Sequence, residues 1–579
     1  MGKGAFVKDF YALELQAIRK EAEKFAEKYP ALAPMLSGQS NDPDVERLLE
    51  GTAYLCARIQ KRLAQTAPHL AQSLLQLIFP QALLPLPSST MVQFALRQGF
   101  GEPVFVPKGT QLSSRQIGGV SCLYTTDSDT TVHPIAVTNL VATPAAGDAS
   151  VSVSLTLTSL VPYTSILKDR LVFYLAGSYA NAAQRFFALA RHLESITITK
   201  GGHSVTLPGD SFRPHDYPLS DSRLPGRQVL NRPYIEMLRY FYLPQQLLCF
   251  CIDGLEKCPG LSDAGDMIIT FTLRSNTLKL PVFDKSSIVL NTISATNVFS
   301  MEAEPMVFTH TQTEYLVQLA QREQRKLEVL SIERVQALLP GGKVVEYTPF
   351  DSFMHGKDQY CYSVRQAPST IQESTDFFVS PIYADATHNT FAKQTVAIRL
   401  LCCNHTLPSM LGIGDINVPT ESTPMHVVFS NITAPTGMQP RNMTEAHLWL
   451  YLSQVNANLL PFASADILRT MLELYLYNKS SNPELVAANL RRCSAIRHFS
   501  SQEEHRIVRG RLHRGRRLDI LLDSAAFAGE GDLYLFANAL NRFLSCFATV
   551  NNYTRLLVES SGTGEIHAWR PRLGQKLLS

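Results

Sequence analysis

Apolar residues recur at intervals of three or four over the first 88 positions, and at intervals of two over much of the chain beyond them. The first spacing puts them on one side of a helix, the second on one side of a strand. Leu15, Ile18, Ala22, Phe25 and Tyr29 predict a helix that stops at Pro30. DPDVERLLEG at 42–51 predicts the start of a second. Asp42 supplies a capping oxygen, Pro43 fits a position that needs no N–H donor, and Asp44 and Glu46 complement the helix dipole. Val45, Leu48, Leu49, Leu55, Ile59 and Leu63 then form one apolar stripe. A third helix is expected from about Pro68 to Phe79, ending before Pro80. Three short amphipathic helices bury little surface alone. The stripe is therefore expected to join either an intramolecular core or a seam with another chain.

Beyond PLPSS at 85–89, VSVSLTLTS at 151–159 alternates apolar residues with serines and threonines and predicts a half-buried strand. FALRQG, VFVPKGTQL, CLYTT and LVFYLAG predict further strands. SYANAAQRFFALARHL at 178–193 predicts a helix, and ITITKGGHSVTL at 196–207 a hairpin turning at Gly201-Gly202. Residues 208–232 are expected to form a long loop. Strands are expected at 247–252, 268–274, 359–366 and 394–403. Helices are expected around 446–457, 464–477 and 533–546, with a β-rich stretch near 506–523. The predicted class is α+β and multidomain. An N-terminal helical bundle at 1–88 precedes a β-rich domain at 89–232, a second mixed β-rich domain at 233–431 and a C-terminal mixed α/β region at 432–579.

Composition changes this picture little. With 45% hydrophobic and 18% charged residues, the 579-residue chain has material for a large core. A formal charge of +3 gives no bulk reason to expect a nucleic-acid partner. No signal peptide is expected, because MGKGAFVKDFYALEL lacks an apolar core followed by a small-residue cleavage site, and no membrane insertion, because the most apolar run, 74–87, is short and broken by prolines. Ten scattered cysteines suit reduced thiols in a cytosol.

Candidate chemistry is sparse. Cys249, Cys251 and Cys258 do not match a zinc-binding spacing, and buried structural thiols are expected there and at Cys402-Cys403. VPKGT at 106–110 lacks the rest of a phosphate-binding loop. No nucleophile-elbow, zincin or dinucleotide motif occurs, so no catalytic residue, cofactor or metal site is assigned. The best charge cluster is QEEHRIVRGRLHRGRR at 502–517, with Arg506, Arg509, Arg511, Arg514, Arg516 and Arg517. It lacks aromatics for base stacking, so a solvated face or a protein contact through Arg509, Arg511 and Arg514 is favoured over nucleic acid.

Several segments, in order, resemble the TssF family of type VI secretion system baseplate subunits. They are ELQAIRKEAEKFAEKYPALAPML, DPDVERLLEGTAYLCARIQ, SLLQLIFPQALLPLPS, YIEMLRYFYLPQQLLCF and LNTISATNVFSMEAEP with Asn291, Asn297 and Phe299. LLCCNHTLP at 400–408, FANALNRFLSCFATVNNYT and AWRPRLG at 568–574 complete the series. Cys403 replaces a threonine of the family pattern, and Arg239-Tyr240-Phe241 replaces Glu-Tyr-Phe. The resemblance implies a non-enzymatic wedge subunit without a cofactor. Its implied partners are TssG-like, TssK-like and TssE-like proteins, a VgrG-like spike and a second copy of itself, two per TssG-like chain. It also implies a cytosolic platform for tail-tube and sheath assembly, docked on a membrane complex. By similarity to contractile phage tail wedge proteins, residues 1–88 are implied to pack in a core bundle with partner chains, which makes Val45, Leu48, Leu49, Leu55 and Ile59 candidates for such a seam, with an intramolecular core as the alternative.

Overall fold

The computed structural model describes residues 7–29, 43–78, 83–144, 150–167, 170–215, 232–274, 281–319, 327–339, 342–350, 360–369, 375–383, 393–440, 445–455, 464–476, 482–508, 510–548, 552–573 and 576–577. The class is mixed α+β. Two compact units are present, one built from residues 1–83 and 442–456 and the other from 84–441 and 457–579.

The first unit contains the helices Val7–Lys28, Pro43–Ile78 and Glu445–Val455. Its first two helices pair antiparallel. Arg19 donates to Glu46 at 2.9 Å, and Gln60 donates to Glu14. The second and third helices expected from sequence are one continuous helix, in which Pro68 lies at an interior position. A proline there removes one backbone hydrogen bond and costs about 3 kcal/mol in an isolated helix. The buried face explains the continuity. Ala53 and Ala57 precede the proline, and Ala71 and Leu75 lie beyond it at the same helical phase, about five turns later. All four are fully buried, so the packing stripe runs in register through the proline. The expected cap, Asp42, and the expected stop, Pro30, lie outside the described residues.

In the second unit, strands far apart in sequence share sheets. A six-stranded antiparallel sheet has Ser89–Leu96 between Thr292–Thr296 and Val427–Asn431. The segments 89–232 and 233–431 are therefore not separated by the contacts. A five-stranded sheet runs in the order His203–Pro208, Leu193–Lys200, Gly265–Arg274, Ser150–Ser159, Ile135–Pro144. The expected hairpin is its first pair, and Gly201 and Gly202 carry φ of 55° and 82°, which a tight two-residue turn requires. A four-stranded sheet contains Cys249–Ile252 and ends on Ile288–Leu290. A larger sheet is centred on Gln394–Cys403 and Glu328–Leu338. The C-terminal sheet pairs Ile496–Val508 with Arg511–Leu522, and the latter runs parallel to Asn552–Ser560. The expected loop at 208–232 contains a 3-10 turn, Gly209–Ser211, and a short strand, Phe212–Pro214, and residues 216–231 lie outside the description.

Polar pins set the geometry of this unit. Asn297 and Asn404 bond reciprocally: the Asn404 backbone N–H reaches Asn297 Oδ1 at 2.7 Å, and Asn297 Nδ2 reaches Asn404 Oδ1 at 2.8 Å. Both are buried, and the side-chain oxygen of each accepts a hydrogen bond from the other residue. Asp532 is the second pin. Its Oδ1 accepts from Tyr179 at 2.7 Å and Tyr240 at 2.8 Å, and its Oδ2 accepts from Arg492 Nη2 at 2.8 Å. These groups come from four helices, Tyr179–Arg191, Arg232–Tyr242, Pro483–Ser494 and Glu530–Ser545. Burial pushes both phenols well above the ordinary tyrosine range, so they stay protonated and donate.

Candidate protein interface

The long helix Pro43–Ile78 has two apolar faces of different character. The intramolecular face is lined mostly by small residues, Ala53, Ala57 and Ala71, joined by Leu75. Alanines allow close helix approach but leave the bulky residues elsewhere. Those lie on the opposite side. Leu48 is 71% exposed, Leu55 59%, Ile59 60% and Leu70 56%. At about 100° per residue these four fall within an arc of roughly 60°, facing away from the alanine stripe. Four large aliphatic side chains in one exposed row are the pattern of a docking surface. The Thr52 hydroxyl, on the same side, is turned back onto the Leu48 carbonyl at 2.7 Å. Leu49 is half-buried at the edge of the row, and the Val45 side chain lies outside the described part of the structure. Elsewhere in the same unit Leu13, Phe25 and Trp449 are also exposed, at 63%, 46% and 43%.

The basic segment forms a hairpin, Ile496–Val508 with Arg511–Leu522. It is not one cationic surface. Arg506 donates to Glu504 at 2.8 Å, Arg517 to Asp519 at 2.9 Å, and Arg516 lies 3.7 Å from Glu503. Arg511 and Arg514 are exposed and, by strand alternation, point to opposite faces of the ribbon. Arg509 lies outside the described residues. The third strand starts at Asn552 opposite Arg514, so the described tip beyond it is two-stranded. At that tip Ile507 and Leu512 face each other across the strands, 75% and 64% exposed. Sequence reading missed this apolar pair, because attention to charge hid two aliphatic residues that pair across the hairpin.

Cys249, Cys251 and Cys258 are buried, as are Cys402 and Cys403. Burial pushes the Cys258 and Cys403 thiols up, away from the reactive thiolate. Among the described residues no group of three or more His, Cys, Asp or Glu is placed to hold a metal ion. No described helix is long and apolar enough to cross a membrane.

The family model for the type VI secretion system protein TssF matches residues 6–576. The chain belongs to the TssF family. Among curated TssF relatives it is similar to the type VI secretion system component TssF1 of Pseudomonas aeruginosa, 26% identical over 98% of each chain. Among solved structures it resembles a chain of the TssK-TssF-TssG baseplate subcomplex, with a TM-score of 0.78, 23% identity, and 92% of this chain and all of that chain covered. It also resembles a chain of the baseplate complex from the type VI secretion system, with a TM-score of 0.59, 20% identity, and 99% and 100% covered. The fold is thus shared with a chain of each of these two assemblies. Asn297 and Asn404, which lie in two of the segments that resemble the TssF pattern, form the reciprocal pin beside the strands Thr292–Thr296 and Gln394–Cys403.

Proposed function

We propose that this chain is a structural wedge subunit of a type VI secretion baseplate. It assembles in the cytoplasm with TssG-like, TssK-like and TssE-like proteins and a second copy of itself around a VgrG-like spike, as the platform for tube and sheath assembly at the inner-membrane complex. The observation that carries the reading is the exposed row Leu48, Leu55, Ile59 and Leu70 on a helix whose other face already holds the intramolecular contacts. Such a row is stabilised by burial against another chain, with polar neighbours selecting the partner. Helix-to-helix packing with a TssG-like chain and a second TssF-like chain supplies that burial. The internal pairing of Arg506, Arg516 and Arg517 supports a protein contact over nucleic acid at the hairpin.

Co-expression with a TssG-like protein tests this reading. A stable mixed complex is expected on size exclusion, with two copies of this chain per TssG-like chain. A well-folded chain that never associates with such a protein overturns it.

A further inference from the structure

Two sheets of the second unit present edge strands to one cleft. Ile135–Pro144 is the last strand of the five-stranded sheet, and Ile288–Leu290 is the last strand of the four-stranded sheet. Together with the end of Ser89–Leu96 they enclose about 750 Å³. That volume falls within the roughly 300–1,000 Å³ of pockets that hold ligands. At one end of the cleft the edges are tied together. The His133 backbone N–H donates to Asn291 Oδ1 at 3.5 Å, and Asn291 Nδ2 donates to the His133 carbonyl at 3.4 Å. Asn291 holds this position with a φ of 55°. The turn after Leu96 also lines the cleft, and Phe100 there stacks on His426 with ring centroids 4.1 Å apart.

The lining is mostly apolar and includes Ala95, Ala136, Val137 and Val289, with Leu160 71% exposed at the rim. Among the described residues its charged members are Arg97 and Lys285, with no carboxylate. Two strand edges, apolar walls and two cations therefore coincide, with no acidic residue described among them.

We propose that this cleft binds an extended peptide segment of a partner protein by strand addition, with alternating apolar side chains and a carboxylate beside Arg97 and Lys285. An edge strand offers backbone N–H and C=O groups that another strand completes. An acyl chain with a carboxylate matches the walls and the charge, but it covers those backbone groups without pairing them, which is costly. The register shift between Val137 and Asn139 ends the regular edge. The cleft-lining stretch 135–138 spans about 13 Å at ~3.3 Å per residue, so the bound segment is short, about four to six residues.

The test uses the full chain and fluorescence anisotropy with labelled eight-residue peptides. Val, Leu or Phe alternates with Thr, and the ends carry Glu or Lys. Glu-ended peptides are expected to bind, with Lys-ended or centrally proline-substituted versions at least tenfold weaker. Ala136→Trp, at an exposed position within the cleft, is expected to abolish binding without lowering the melting temperature. Arg97→Glu with Lys285→Glu is expected to reverse the preference for the end charge. Failure of every Glu-ended peptide to bind overturns the proposal. So does equal binding of the proline-substituted or Lys-ended peptides, unchanged binding by Ala136→Trp, or binding of dodecanoate in the cleft where no peptide binds.

Discussion

Replacing Leu48 and Leu55 perturbs the proposed seam while leaving the fold of the free chain alone. Full burial of a leucine or isoleucine side chain contributes about 1.5–3 kcal/mol. Leu48, Leu55 and Ile59 are 71%, 59% and 60% exposed in the free chain, so most of that contribution is still available for docking. Each residue then adds about 1–2 kcal/mol at the seam. Leu48→Ala or Leu55→Ala is expected to weaken association with a TssG-like protein about 5- to 30-fold. Leu48→Asp and Leu55→Asp also desolvate an unpaired carboxylate, and each is expected to weaken it more than about 100-fold. Stability of the isolated chain is expected to change by only about 0.5 kcal/mol, because the substitutions lie on an exposed face. Leu75→Asp is the contrasting control. Leu75 is fully buried within the same unit, so this variant is expected to lose helical signal and melt early. Affinity is read by calorimetry or biolayer interferometry with the purified partner, and fold by circular dichroism. Wild-type affinity in Leu48→Asp and Leu55→Asp refutes the argument from the exposed row.

The second unit carries three further expected outcomes. Asp532→Asn leaves the Arg492 guanidinium, 9% exposed, without its counter-charge. Removing one member of a buried pair costs about 3–5 kcal/mol, so the urea midpoint should fall clearly, and an unmoved midpoint contradicts the pin. Gly531→Ala would bring a methyl to 2.4 Å from the Ala183 backbone, forcing the helices Tyr179–Arg191 and Glu530–Ser545 apart. A loss of about 1–3 kcal/mol is expected, and wild-type melting would show that the contact yields freely. His567 is fully buried beside Phe187, Tyr534 and Trp569, and burial lowers its pKa below the ordinary 6.5, with Glu565 acting in the opposite direction. The unfolded chain takes up this proton first as pH falls. The stability His567 provides is therefore present above pH 6.5 and lost as pH drops through the depressed folded value. His567→Phe should flatten that acid-side decline in urea midpoints measured between about pH 7.5 and 5.5, and an identical slope would contradict it.

Much of the secondary structure was legible because its period is local. The strand Ser150–Ser159, the hairpin at Gly201-Gly202 and the helices Tyr179–Arg191 and Glu530–Ser545 lie where alternation, turn chemistry and 3.6-residue spacing put them. Pro68 misled the reading because local chemistry argues for a break, whereas continuity rests on the phase of Ala53, Ala57, Ala71 and Leu75 across it. The sheet joining Ser89–Leu96 to Thr292–Thr296 and Val427–Asn431 was not legible, since periodicity carries no information about which distant strands pair. The apolar stripe was visible as a stripe. That the stripe's Leu48, Leu55 and Ile59 turn outward, while a separate face of Ala53, Ala57 and Ala71 turns inward, emerged only from packing. The arginine cluster likewise looked uniform until Glu503, Glu504 and Asp519 were found beside three of its members.

The central claim is that the Leu48 face is covered by another chain in the assembled baseplate. Hydroxyl-radical footprinting of this chain, alone and co-assembled with a TssG-like protein, tests it most directly. Leu48, Leu55, Ile59 and Leu70 are predicted to oxidise readily in the free chain and to become protected together in the complex, while the exposed Leu160 of the second unit keeps its reactivity until a cleft ligand is added. Equal oxidation of the four side chains in the free and assembled states would contradict the account.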